Sequence, residues 1–139
     1  MGAGTGACEG RLSGRRINVV PMYDRVQLDD VEARELDGID QRVKPIGYEL
    51  GAAEMRPNVW VFDAGDAGNR HRQREQEELY VVVNGRFEME VEGDTFEIES
   101  GHVVLVAPES WRQVTAIEDG TLLVIGAPNV SDDGIRETD

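Results

Sequence analysis

GDAGNRHRQREQEELYVVVNG, running from Gly65 to Gly85, is the stretch on which the reading of this chain turns. Five residues separate Gly65 from His71, one separates His71 from Gln73, four lead on to Glu78, and six more reach Gly85. Residues two apart share one face of a strand. His71 and Gln73 therefore point the same way, as do Glu78, Tyr80 and Val82 on the strand that follows. A turn between the two strands brings both faces onto one interior. An imidazole and a carboxylate meeting there have the chemistry to hold a divalent metal, and equally to satisfy each other by hydrogen bonding. Arg70, Arg72 and Arg74 alternate out of phase with His71 and Gln73 and are expected to face outward. Glu75 and Glu77 are expected to be solvated.

Outward from this stretch the period stays at two. In RFEMEVEG, Phe87, Met89 and Val91 alternate with Arg86, Glu88, Glu90 and Glu92, which predicts a half-buried strand. TFEIES repeats the pattern with Phe96 and Ile98 inward. NVWVFDAG, ELYVVV, VVLVAP and TLLVIGA are further short runs rich in β-branched and aromatic residues. Turn signals divide them at Asn84-Gly85, Glu92-Gly93-Asp94, Ser100-Gly101, Pro108-Glu109-Ser110 and Glu118-Asp119-Gly120. Asn84-Gly85 is the clearest hairpin signal among these. The one helical candidate is the charged segment from Leu28 to Leu36. Many short strands at even spacing predict an all-β sandwich or barrel.

GHVVLVAPESWRQ supplies a second patterned stretch: Gly101, six residues, Pro108-Glu109-Ser110, two residues, Gln113. Together the two stretches resemble the paired motifs of the cupin superfamily. The first family motif reads glycine, five residues, His-x-His, three or four residues, Glu, six residues, glycine. The chain matches it at every spacing, with Gln73 in place of the second histidine. The second family motif reads glycine, five residues, Pro-x-Gly, two residues, His. The chain carries one extra residue, Ser110 for the glycine, and Gln113 for the histidine. A hairpin over 86–100 separates the motifs, as in the family, and the resemblance covers roughly residues 58–127. It implies a double-stranded β-helix, or jelly-roll, barrel of the single-domain cupin 2 type with degenerate metal motifs. Residues 40–57 are expected to add a strand.

In the family three histidines and a glutamate hold the metal. This chain has two histidines, His71 and His102, so a three-histidine site within one chain is excluded. His102 lies outside the motif positions. The remaining metal set is His71, Gln73, Glu78 and Gln113. A glutamine carbonyl is a poorer ligand than imidazole, so the set holds manganese, iron, nickel or zinc weakly if at all, and no cofactor is required by it. Without metal, the same four side chains suit recognition of a polar molecule such as a sugar or hydroxy acid. Tyr80, Trp60 and Trp111 are candidate pocket residues; both tryptophans also suit core or interface positions. Ser100, Ser110 and Ser131 sit in no nucleophile elbow.

The 139 residues fit one domain. Residues 1–21 are glycine-rich and expected to be flexible, 22–130 form the barrel, and 131–139 read as a frayed acidic tail; Met1 and Met22 both stand as starts. The single Cys8 excludes an internal disulfide framework. Asp and Glu number 28 against 14 Lys and Arg, for a net charge of -14, and Lys44 is the sole lysine. That charge disfavours nucleic acid and anionic membranes as partners. An acidic, lysine-poor chain of this kind suits concentrated salt, as in a halophile; an ordinary acidic protein with a disordered tail is the alternative. No run reaches the ~18 apolar residues of a membrane helix, so a cytoplasmic location is expected. Three functions follow: a polar-ligand-binding barrel, a metal-dependent isomerase, epimerase or dioxygenase with a reduced ligand set, or a non-catalytic dimeric scaffold. The resemblance implies a homodimer.

Overall fold

The computed structural model describes residues 22–137, together with the backbone of two short paired strands, β1 (Arg11–Leu12) and β2 (Arg15–Arg16). The rest of the segment expected to be flexible, including Cys8, lies outside the described residues. Two antiparallel sheets follow. The six-stranded sheet runs in the order β10 (Val103–Val106), β7 (Glu77–Asn84), β12 (Gly120–Ala127), β5 (Arg56–Phe62), β4 (Arg42–Lys44), β3 (Arg34–Glu35). The five-stranded sheet runs β13 (Gly134–Arg136), β6 (His71–Gln73), β11 (Arg112–Ala116), β8 (Arg86–Val91), β9 (Asp94–Glu99). Sequence neighbours β6 and β7 lie in different sheets, as do β7 and β8, so the chain winds between the layers of a jelly-roll barrel.

Alternation builds the core. Phe87 and Met89 of β8 are fully buried while Glu88 between them is exposed. Along β12, Leu122 and Val124 face inward at the same period. Phe62 meets Phe87 edge-on at 5.2 Å. Burying side chains of this size stabilises by about 1.5–3 kcal/mol each relative to exposure. The added strand expected within residues 40–57 is β4, followed by a short helix, α1 (Ile46–Leu50).

Four local expectations change. Residues 28–36 make no helix: Leu28–Asp30 form one 3-10 turn with no buried residue, and Arg34–Glu35 join the sheet. The segment has no apolar stripe to pay for helix formation. Phe96 lies on the edge strand β9 and is 38% exposed. Asn84-Gly85 is not a hairpin turn, because β7 and β8 do not pair; the hairpin is β8–β9, turning at Glu92 (φ 49°) and Gly93 (φ 92°). The expected tail is not frayed throughout: β13 pairs with β6, and Asp133 just before it is buried. The carboxylate of Asp133 accepts hydrogen bonds from the backbone amides of Glu75 (2.9 Å) and Gln76 (2.8 Å), which clamps residues 131–136 to the β6–β7 turn. The outer edge of the six-stranded sheet, β10, exposes Val103 and Leu105, an apolar edge of the kind the dimer expectation would cover.

Two motif glycines serve different ends. Gly85 (φ 86°) passes so close to the β11–β12 connection that a Cβ would stand 2.5 Å from the Asp119 carbonyl and the Gly120 Cα. Gly65 (φ 92°) faces open space. Gly65→Ala is therefore expected to cost only the left-handed backbone penalty of about 1–2 kcal/mol. Gly85→Ala adds a backbone clash and should cost clearly more. Urea melts of the two variants check this; equal losses would contradict it.

Candidate functional site

A cavity of about 470 Å³ opens inside the barrel. β6 contributes His71, β7 contributes Glu78 and Tyr80, β5 contributes Trp60, and β11 contributes Arg112. Arg112 pairs directly with His71 across β6 and β11, so both side chains take the same face. The guanidinium is fully buried: its side chain is 0% exposed. Nη2 donates to Glu78 Oε1 at 2.8 Å, and Nε to the Tyr80 hydroxyl at 3.4 Å. Nη1 reaches the carbonyls of Ser110 (2.7 Å), Pro108 (2.9 Å) and Ala107 (3.3 Å). The Tyr80 hydroxyl donates to the same Glu78 oxygen at 2.8 Å. His71 Nδ1 lies 3.0 Å from the Asn69 carbonyl, so Nδ1 carries the ring proton there. That leaves His71 Nε2 facing inward, 3.6 Å from Glu78 Oε1 and beyond hydrogen-bond range.

Charge follows this geometry. Burial pushes the Glu78 carboxyl up, but the His71 ring and the Arg112 guanidinium outweigh it and hold the group down at about 2. Burial, with the Glu78 carboxylate beside it, pushes the Tyr80 hydroxyl far above its ordinary value, so it stays a neutral donor. Burial lowers Arg112, yet Tyr80 and Glu78 raise it further, and it remains a cation.

The expected site residues divide. His71, Glu78 and Tyr80 come together. Gln73 lines the cavity, but its Nε2 is committed to Gln76 Oε1 (2.8 Å) and Asp133 Oδ2 (3.3 Å). Gln113 also borders the cavity, although it alternates with Arg112 along β11, and its Nε2 donates to the Gly68 carbonyl at 2.9 Å. Trp111 does not line the cavity. Its ring lies outside, with the guanidinium carbons of Arg70 and Arg72 at 5.6 and 5.4 Å. Those arginines do face outward: Arg70 binds Glu90 (2.7 Å) and Glu137 (2.7 Å). His102 is exposed and accepts the Glu99 amide.

His71, Gln73, Glu78 and Gln113 consequently do not fit a metal ion. The Nε2 atoms of both glutamines are tied to protein acceptors, which fixes how the two amides turn, and a fixed cation already sits 2.8 Å from the carboxylate a metal would need. Among the described residues, no three His, Cys, Asp or Glu side chains gather closely enough to hold a metal. Arg112 was missed because Gln113 stands at the motif spacing. The signal was nevertheless present: Val114 and Ala116 are the apolar members of β11, and their parity places residue 112 inward.

A carboxyl held at about 2 when folded, against an ordinary 4.5, stabilises the fold above pH 4.5. That contribution, about 3 kcal/mol at most, is lost as pH falls from 4.5 through 2. Glu78→Gln should lower stability at pH 7 by a few kcal/mol, since it strands the buried guanidinium. It should also flatten the acid limb of a stability–pH curve measured by denaturant melts. An unchanged acid limb would contradict the pairing.

The cupin domain family matches residues 58–126. An RmlC-like cupin from Shewanella frigidimarina shares the fold at a TM-score of 0.66 and 21% identity, over 77% of this chain and 92% of that one. KdgF from a Halomonas species superposes at 0.67 and 20% identity, over 75% and 94%. The polyketide cyclase RemF from Streptomyces resistomycificus gives 0.69 and 15%, over 84% and 86%. Identities this low speak to the fold alone. No curated protein matches the sequence. The motif spacing, the two-sheet winding and the family match agree: the chain belongs to the cupin superfamily.

Proposed function

We propose that this chain binds a polar small molecule in its barrel without a metal ion. The observation that carries the reading is Arg112. Its guanidinium supplies, next to Glu78, the positive charge that a metal would otherwise bring. A metal-dependent isomerase, epimerase or dioxygenase would require that guanidinium to leave a carboxylate it holds at 2.8 Å, and to give up three carbonyl partners as well. The scaffold reading expects a filled barrel, whereas the cavity of about 470 Å³ falls within the size range of small-molecule sites. Its walls combine apolar surface from Trp60, Phe62 and Leu122 with the polar groups of His71, Glu78 and Asn58.

The test is thermal melting of chelator-treated protein with a panel of neutral sugars and hydroxy acids. A ligand that fits stabilises the fold by about 2.7 kcal/mol at 100 times its Kd. That shift should appear in the presence of EDTA. It should vanish in Val124→Phe, which fills the cavity from β12. Stabilisation that appears only after manganese, iron, nickel or zinc is added would contradict the reading.

A further inference from the structure

The outward face of the six-stranded sheet carries two cross-strand rows that lie apart from the cavity. Val103, Val81, Leu123 and Val59 stand side by side across β10, β7, β12 and β5, and Leu105, Leu79, Ile125 and Pro57 form the next row. Their neighbours along the strands, among them Tyr80, Val82, Val106, Leu122 and Val124, turn the other way into the core. Neither row holds a charge or a hydrogen-bonding side chain, in a chain of which 30% is charged. Chance placement of surface residues does not give such a face.

Exposure is uneven along the rows. On β5 the chain covers them itself. A Cβ on Gly47 of α1 would stand 2.9 Å from the Pro57 ring, and Lys44, paired with Val59, reaches the Leu28 carbonyl at 2.7 Å. Val59 is accordingly 2% exposed. Toward β10 the cover ends: Val103 is 57% exposed and Leu105 63%. Leu79, Val81, Leu123 and Ile125 between them are half-buried. Strands ~4.8 Å apart, rising ~3.3 Å per residue, make the uncovered part a patch on the order of 300 Å² in projection. Apolar patches of that size on a single chain are often functional.

Charge selects the occupant. A net charge of -14 draws a basic partner to the acidic surfaces, and an uncharged face offers it nothing. The same charge repels an anionic membrane. A second copy brings an equally uncharged face of matching twist, and twisted sheets pack well face to face. We infer that the outer face of β10, β7 and β12 packs against the same face of a second copy about a two-fold axis. The patch is smaller than the ~800 Å² per partner of a standard interface, so repulsion between the two acidic bodies governs how far the pair forms. Salt confines that repulsion to about 10 Å at 0.1 M and about 3 Å at 1 M. The pair therefore tightens as salt rises, the reverse of an interface held by exposed ion pairs.

Sedimentation equilibrium of the full chain, in reducing buffer so that Cys8 cannot cross-link, tests this. The dimer Kd should fall at least about tenfold between about 0.1 M and about 1 M NaCl. Leu105→Lys should abolish the dimer at every salt concentration, although it moves the net charge toward zero, because it sets a charge in a face that must lose its water. Val103→Lys, on the other row, should act alike and guards against a folding defect in either variant; circular dichroism checks both. Glu88→Lys, exposed on the five-stranded sheet, should leave the dimer intact or tighter. A chain that stays monomeric up to about 1 M NaCl overturns the inference, whether the face is bare or covered by residues 1–21. So does a dimer that survives both lysines on the outer face, one that Glu88→Lys disrupts, or one that weakens as salt rises.

Discussion

The buried ion pair between Arg112 and Glu78 is the constraint around which this barrel is organised. Two charges out of water are tolerated only when their hydrogen-bonding capacity is met, and here it is. The guanidinium reaches Glu78, Tyr80 and three carbonyls of the turn before β11. One side chain thereby ties β11 of the five-stranded sheet to β7 of the six-stranded sheet and fixes the shape of the 107–110 turn. Removing either partner leaves the other charged and buried, so the pair acts as a unit.

The same pair sets the chemistry. A carboxylate at the centre of such a barrel needs a positive neighbour. Where a metal supplies it, the cation brings open coordination positions. A guanidinium supplies charge and fixed donors but no open position, and here it is fully buried. What lines the cavity beside the pair is His71, Asn58, Trp60 and Phe62.

The barrel was legible wherever alternation was strong. Phe87, Met89, Leu122 and Val124 mark their faces by period two, and the spacing of His71 and Glu78 placed both on the interior. What failed did so because long-range packing outranks local signals. Asn84-Gly85 has hairpin chemistry, yet the glycine is needed for close approach to Asp119 and Gly120 rather than for a two-residue turn. The segment at 131–136 lacks a hydrophobic pattern; it is held by the buried carboxylate of Asp133, a polar contact with no period to read. Gln113 drew attention by motif spacing, while the parity of Val114 and Ala116 pointed one residue back to Arg112. Gln41, a cavity-lining residue only 8% exposed, lies outside both motifs, and nothing in its local sequence marks a buried amide.

The most direct measurement is an anomalous difference map from crystals grown with excess manganese. The account predicts the Arg112 guanidinium on Glu78, as in the structure described, and no anomalous peak between His71 and Glu78. A strong peak coordinated by His71 Nε2 and Glu78, with Arg112 turned away, would contradict it.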